Sequence, residues 1–210
     1  MTRCWPCVVG GASLRVMDSD AANAMGSRRK GAQRWSATVI TLHWVMALAI
    51  LVTMSLGWIA EDMPRSLAQY RMFGWHKSFG LLVLALAVLR VVFRLRAATP
   101  AGDDASGLWQ RRAARVSHGL LYLCMFAMPI SGWLINSAAD VPLKWFWLVP
   151  VPAIAAASPQ LAEIAETLHA GILWTLLMLI AIHATAALRH HFVLRDSVLW
   201  QILPFRGLRR

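Results

Sequence analysis

Long apolar runs alternate four times with shorter polar, basic stretches along this 210-residue chain. The runs extend from about Ala37 to Ile59, Met72 to Phe93, Val116 to Asn136 and Ile164 to Leu188. Each is long enough to cross a hydrocarbon layer of ~30 Å at ~1.5 Å per helical residue. A segment in lipid must satisfy its own backbone hydrogen bonds, so all four are predicted to be helices. Four helices in succession predict an all-α fold, an integral membrane antiparallel four-helix bundle.

The bundle domain is expected over residues 33–206. Residues 1–32 begin with a short apolar stretch broken by Pro6, Gly10 and Gly11, then turn polar and basic. That is neither a signal peptide nor a packed unit, and a disordered basic cytoplasmic extension is predicted. The connection between the third and fourth runs carries Pro142, Trp145, Phe146, Trp147, Pro150 and Pro152. Prolines exclude a spanning helix there. The aromatic side chains predict an element lying at the membrane interface, with anchoring favoured over a lid or a docking role.

Composition supports this reading: 58% of the residues are hydrophobic, too many for an ordinary soluble domain. The formal net charge of +11 sits beside the ends of apolar runs, which points to membrane lipid rather than nucleic acid. Six Lys or Arg precede the first run, six surround the connection between the second and third, and five follow the fourth. The opposite side holds four: Arg65, Arg71, Lys77 and Lys144. Positive charge accumulates in the cytoplasm, so both termini are expected there, with the chain in a bacterial inner membrane. The three cysteines, Cys4, Cys7 and Cys124, make no disulfide framework.

The chemistry-bearing residues are histidines. An imidazole inside a membrane segment is costly and marks a functional position. His43, His118 and His183 lie toward the cytoplasmic ends of their helices, and His76 and His169 toward the outer ends. His169 and His183 are 14 residues apart on the fourth run, an axial separation of ~21 Å. They leave nearly the same helix face, so one helix can serve two stacked sites. The outer tier offers one pair, His76 with His169. In the inner tier His183 can face His43 or His118. Depth and apolar neighbours favour His43. Two imidazoles per tier, with no Cys or carboxylate at the same depth, suit the two axial positions of a haem better than a four-ligand zinc site. Gly80, Ala47 and Ala187, one turn after His76, His43 and His183, leave room for a flat macrocycle.

Several stretches are similar to the bacterial cytochrome b561 family of four-helix dihaem b-type membrane cytochromes. They are LHW at 42–44, WHKSFG at 75–80, the basic end of the second run around Arg90–Arg96, SHGLLYLCMFAMPISGW at 117–133, ETLHAGIL at 166–173 and IHATAALRHHFVLRDSVLWQILP at 182–204. The resemblance covers about residues 33–206. It implies two heme b groups, the outer ligated by His76 and His169 and the inner by His43 and His183. It also implies electron exchange with ubiquinone or another membrane quinone. A similar protein oxidises superoxide at the periplasmic side, so superoxide or another periplasmic redox donor is the expected reductant. The CWPC stretch at 4–7 departs from the family pattern.

A bis-imidazole iron has no open coordination position, so it changes oxidation state without binding substrate. Anionic propionates need cations: Arg71 and Lys77 are placed for the outer haem, and Arg34, Arg94 and Arg189 for the inner one. The expected function is that of an electron-transfer oxidoreductase linking an extracytoplasmic donor to quinone. The alternative is a membrane anchor relaying electrons for a partner dehydrogenase or hydrogenase. A haem-free transporter would bury carboxylates with the histidines, and the interiors of the expected helices contain none.

Overall fold

The computed structural model describes residues 35–96, 107–195, 199 and 201–203. The N-terminal extension, with Cys4, Cys7 and Arg34, lies outside the described residues. Four long helices carry the fold: α1 (Ala37–Asp62), α2 (Leu67–Arg96), α3 (Leu108–Ala138) and α4 (Pro159–Arg189). All four are long and apolar enough to cross a membrane, and the protein is an all-α membrane bundle. Each helix runs beyond the apolar stretch that announced it. The α1 start is set by Ser36, whose Oγ accepts from Val39 N, and the α4 start by Ser158, whose Oγ accepts from Leu161 N. Such caps act on the backbone and are blind to where the hydrocarbon begins.

α1 packs along α2 and α3 along α4, while α2 and α3 touch more sparingly. Among the described residues the backbones of α1 and α4 nowhere come close. The turn between α1 and α2 is tied by Gln69, whose Nε2 donates to the carbonyls of Ala60 and Met63 at 3.0 Å each. Midway along the bundle Met46, Ala87 and Met125 form a buried cluster, with Ile50, Leu86, Tyr122 and Phe126 packed against it. This layer separates the two histidine tiers. Pro129 lies inside α3, where neighbouring helices and hydroxyl side chains make a proline tolerable.

The connection between α3 and α4 is a β-hairpin, β1 (Leu143–Trp145) and β2 (Val149–Val151), paired antiparallel with Trp145 opposite Val149. Its turn places Phe146 and Trp147 at φ 47° and 61°, closed by Leu148 N donating to Trp145 O at 3.0 Å. The hairpin does more than rest at an interface. Phe146 N donates to Ser78 Oγ at 2.9 Å and Trp145 Nε1 to Ser78 O at 3.1 Å. Trp75 meets Trp147 and Phe146 edge-on at 4.8 and 5.8 Å between ring centres. The return strand is held to α3 by Trp133 Nε1 donating to Pro152 O and Ile154 N donating to Ser137 Oγ. The aromatic residues read from sequence as anchors thus dock onto the outer end of α2, beside His76. Past α4, a π-helical turn over His190–Leu194 leads to Arg195 at φ 52°. The C-terminal segment returns to α1, where Trp44 Nε1 donates to Ile202 O at 2.8 Å.

Candidate functional site

His76 on α2 and His169 on α4 face each other with ring centres 6.3 Å apart. Each ring approaches an oxygen on a neighbouring helix beside a glycine: a carbonyl for His76 and a hydroxyl for His169. His76 Nδ1 lies 2.8 Å from Thr53 O, and Gly57 stands one turn further along α1. A Cβ on Gly57 would lie 2.8 Å from both Nδ1 and Cε1 of His76. The missing side chain therefore opens the Thr53 carbonyl to the ring. On α3, Gly132 does the same for His169, with a Cβ there 3.3 Å from Cε1. His169 Nδ1 lies 2.9 Å from Ser131 Oγ, and Ser131 spends its own proton on Met128 O at 2.8 Å.

These contacts set the tautomer of His76 and suit the same one in His169. Thr53 O can only accept, so His76 Nδ1 carries the proton. Ser131 Oγ, with its hydrogen committed, accepts from His169 Nδ1–H. Both rings keep Nε2 as a free lone pair, the arrangement a metal-ligating imidazole requires.

The two rings border a cavity of about 550 Å³ lined by all four helices and by Leu143 of the hairpin, a size typical of cofactor sites. Gly57, Gly80 and Gly132 all line it. A Cβ on Gly80 would meet no atom within 4 Å, so this glycine leaves open space beside His76. Lys77 also lines the cavity and donates through Nζ to Asn136 Oδ1 at 2.8 Å. Arg71 is exposed and does not border the cavity. Glu61 and Glu166 border it as well, so carboxylates share the cavity of the outer histidines where sequence reading expected none at that depth.

At the other end His43 on α1 and His183 on α4 also stand 6.3 Å apart between ring centres. His118 on α3 is nearer to His183, at 5.4 Å. A metal held at about 2 Å from one nitrogen of each ring, with about 1 Å from nitrogen to ring centre, sets two trans imidazoles about 6 Å apart. The two 6.3 Å pairs match that span and each other. The His118–His183 distance falls short of it. Both 6.3 Å pairs involve α4, and the inner one reaches across to α1, from which α4 is otherwise separated. No group of three or more His, Cys, Asp or Glu able to hold a metal ion occurs among the described residues, so the side chains offer imidazole pairs and not a closed zinc site. The residues present fit a planar, bis-imidazole iron group.

Other polar residues cluster at the inner end. Arg90 donates through Nε to Tyr122 Oη at 3.2 Å and through a terminal nitrogen to Val39 O at 3.4 Å. Arg94 lies 5.1 Å over the Trp35 ring. Ser117 Oγ is buried and has no hydrogen-bond partner. Sequence reading counted Arg90 only as a topology charge and did not single out Thr53, Gly57, Ser131 or Gly132. Small residues facing each outer histidine were the available signal.

Known proteins agree with this architecture. A family model described as "Prokaryotic cytochrome b561" matches residues 34–205. "Cytochrome b561 homolog 2" of Escherichia coli (strain K12) is 32% identical over 179 residues, covering 81% of this chain and 92% of the relative. "Probable superoxide oxidase CybB" of Yersinia pestis is 29% identical over 172 residues, covering 82% of this chain and 97% of the relative. "Cytochrome b561 homolog 1" of Escherichia coli (strain K12) is 27% identical over 175 residues, covering 82% and 98%. With four apolar helices, paired imidazoles and a match over nearly all the described bundle, the chain belongs to the prokaryotic cytochrome b561 family, a family of membrane electron-transfer proteins carrying b-type haem.

Proposed function

We propose that the protein holds two b haems, the outer between His76 and His169 and the inner between His43 and His183, and passes electrons from an extracytoplasmic donor to the membrane quinone pool. The observation that carries this reading is the repeated 6.3 Å imidazole pair, once near each end of the bundle. When bound, each haem supplies a reversible one-electron change with no open coordination position.

The chain does the rest. Thr53 O and Ser131 Oγ hold the outer imidazoles with Nε2 turned inward. Lys77 supplies a cation at the outer cavity. The Met46–Ala87–Met125 layer keeps water out of the space between the tiers. The seventeen-to-four division of Lys and Arg supports an inner-membrane placement with both termini in the cytoplasm. Superoxide is the donor we favour. Its one-electron oxidation needs no vacant iron position, and a relative of similar length is named a probable superoxide oxidase.

The test has two arms. A pyridine haemochrome assay on protein made with ample haem should give two haems per chain, and one or none would overturn the paired-site reading. In proteoliposomes containing ubiquinone, superoxide generated outside should reduce the quinone faster than in protein-free vesicles. Two haems with no superoxide-dependent rate would remove superoxide as donor and leave the relay role.

A further inference from the structure

Among the described residues no carboxylate lies near enough to meet the charge of Arg90. Arg90 lies 14 residues after His76 on α2, the same spacing that separates His169 from His183 on α4. It therefore shares the His76 face of its helix and sits at the depth of the inner tier. Where α4 carries its second imidazole, α2 carries a guanidinium.

The hydrogen bonds described for Arg90 go to neutral acceptors, Tyr122 Oη and Val39 O. The carboxylates of the described residues are Glu61, Asp62, Asp140, Glu163 and Glu166. All lie at the outer end of the bundle, so none can neutralise Arg90. A half-buried guanidinium in a low-dielectric setting is expensive without a counter-charge. It has five N–H donors in a fork that matches a carboxylate. Ser117 Oγ, a buried hydroxyl without a partner, is a second unmet polar atom on the cytoplasmic side of the same bundle.

Resting on the two-haem reading above, we infer that Arg90 is the counter-cation of the inner site: it pairs with an acidic side arm of the macrocycle held between His43 and His183, and it holds the reduction potential of that group up. The sign follows from charge. Oxidation adds one positive charge at the iron, and a fixed cation nearby disfavours that state. Removing the cation favours the oxidised form, and it also leaves the acidic arm unneutralised, which acts in the same direction. Arg94, stacked over Trp35, is one of three cations, with Arg34 and Arg189, that sequence reading had placed there. Arg90, one turn deeper in α2 and hydrogen-bonded to both α1 and α3, suits the role better.

The experiment is a potentiometric titration of the purified holoprotein, followed in the haem Soret and α bands. The inner signal is assigned as the one lost in His43→Ala. In Arg90→Gln the reduced-to-oxidised ratio of the inner haem at fixed poise should fall at least tenfold, a shift of 59 mV for one electron. The outer haem should stay unchanged. Arg90→Lys should recover most of the shift, and Tyr122→Phe, which keeps the charge and removes one hydrogen-bond partner, should show little. Two bound haems with an unmoved inner potential in Arg90→Gln would overturn the inference. So would a Tyr122→Phe shift as large as that of Arg90→Gln, since packing would then be the cause. If Arg90→Gln loses the inner haem, Arg90→Lys decides: retention of two haems supports the charge, and loss refutes it. A wild-type protein with a single haem refutes the paired-site reading itself, a different result from any of these.

Discussion

Gly57→Ala sets two physical effects against each other. Alanine in a helix interior is favoured over glycine by about 0.5–1 kcal/mol, so helix propensity alone predicts a more stable protein. At Gly57 the added Cβ would lie 2.8 Å from Nδ1 and Cε1 of His76, and ordinary contact begins at 3.4 Å. The ring must therefore retreat by at least the difference between those distances, about half an ångström. Its Nδ1–H bond to Thr53 O, now 2.8 Å long, would stretch to the edge of hydrogen bonding. Overpacking of this kind costs about 1–3 kcal/mol, and the lost hydrogen bond about 1 more. After the propensity gain, a deficit of about 2–3 kcal/mol remains at the outer site, roughly 30- to 150-fold in haem affinity. Haem content and the low-temperature α-band of purified protein are the measurements. Gly57→Ala should lose or broaden the outer haem component while the inner one persists. Gly132→Ala, with its nearest approach at 3.3 Å, should show a milder form of the same defect, and Gly171→Ala, with nothing within 4 Å, none. Full occupancy and unchanged bands in Gly57→Ala would refute the claim that this glycine opens the carbonyl to the ring.

Ser131→Ala leaves His169 Nδ1–H without its hydroxyl acceptor, and about 1–3 kcal/mol of outer-site stability should disappear; haem loss on dilution, faster than in wild type, is the readout. His43→Ala should remove the inner haem and His118→Ala should retain both, because only the His43–His183 pair has the span of trans ligands; haem counts on the two variants check this, and the reverse pattern would exchange their roles. Ser78→Ala removes the acceptor of Phe146 N–H, and hydrogen exchange over Leu143–Val151 should quicken by about an order of magnitude, the equivalent of ~1 kcal/mol.

The helices were legible because a lipid-spanning segment needs some twenty apolar residues in a row, a signal few other structures share. The start of α1 at Ala37 was legible too, but other ends were not: α4 begins at Pro159, before the apolar run, because Ser158 caps its first turn. The histidine tiers were readable from spacing along α4, and the structure places His169 beside His76 and His183 beside both His43 and His118. What spacing could not give was the partner of each Nδ1. A backbone carbonyl such as Thr53 O has no letter of its own in a sequence, and only the bare Gly57 beside it hints at the contact. The hairpin was missed for a related reason. Its turn puts two aromatic residues, Phe146 and Trp147, at positive φ, where glycine or asparagine is the usual sign. The contacts of Trp75, Trp147 and Ser78 hold that conformation from outside the turn. Arg90 was hidden by its company: in a run of basic residues closing a membrane helix, only the 14-residue spacing from His76 marks the one that turns inward.

The separation of α1 from α4 bears on how the molecule is made. Each of the pairs α1–α2 and α3–α4 is a helical hairpin with an extensive internal seam, and the two are joined by the narrower α2–α3 contact. Such hairpins can enter the bilayer one after the other during synthesis and meet as preformed halves. The surface that would close the bundle between first and fourth helices contains no protein seam, only His43 and His183 facing across a gap. A ligand that binds the native form stabilises it by mass action, and here it would also supply the missing wall. If haem fills that gap as proposed, cofactor supply becomes a condition of closing the bundle, and a chain made without haem should be the more readily proteolysed.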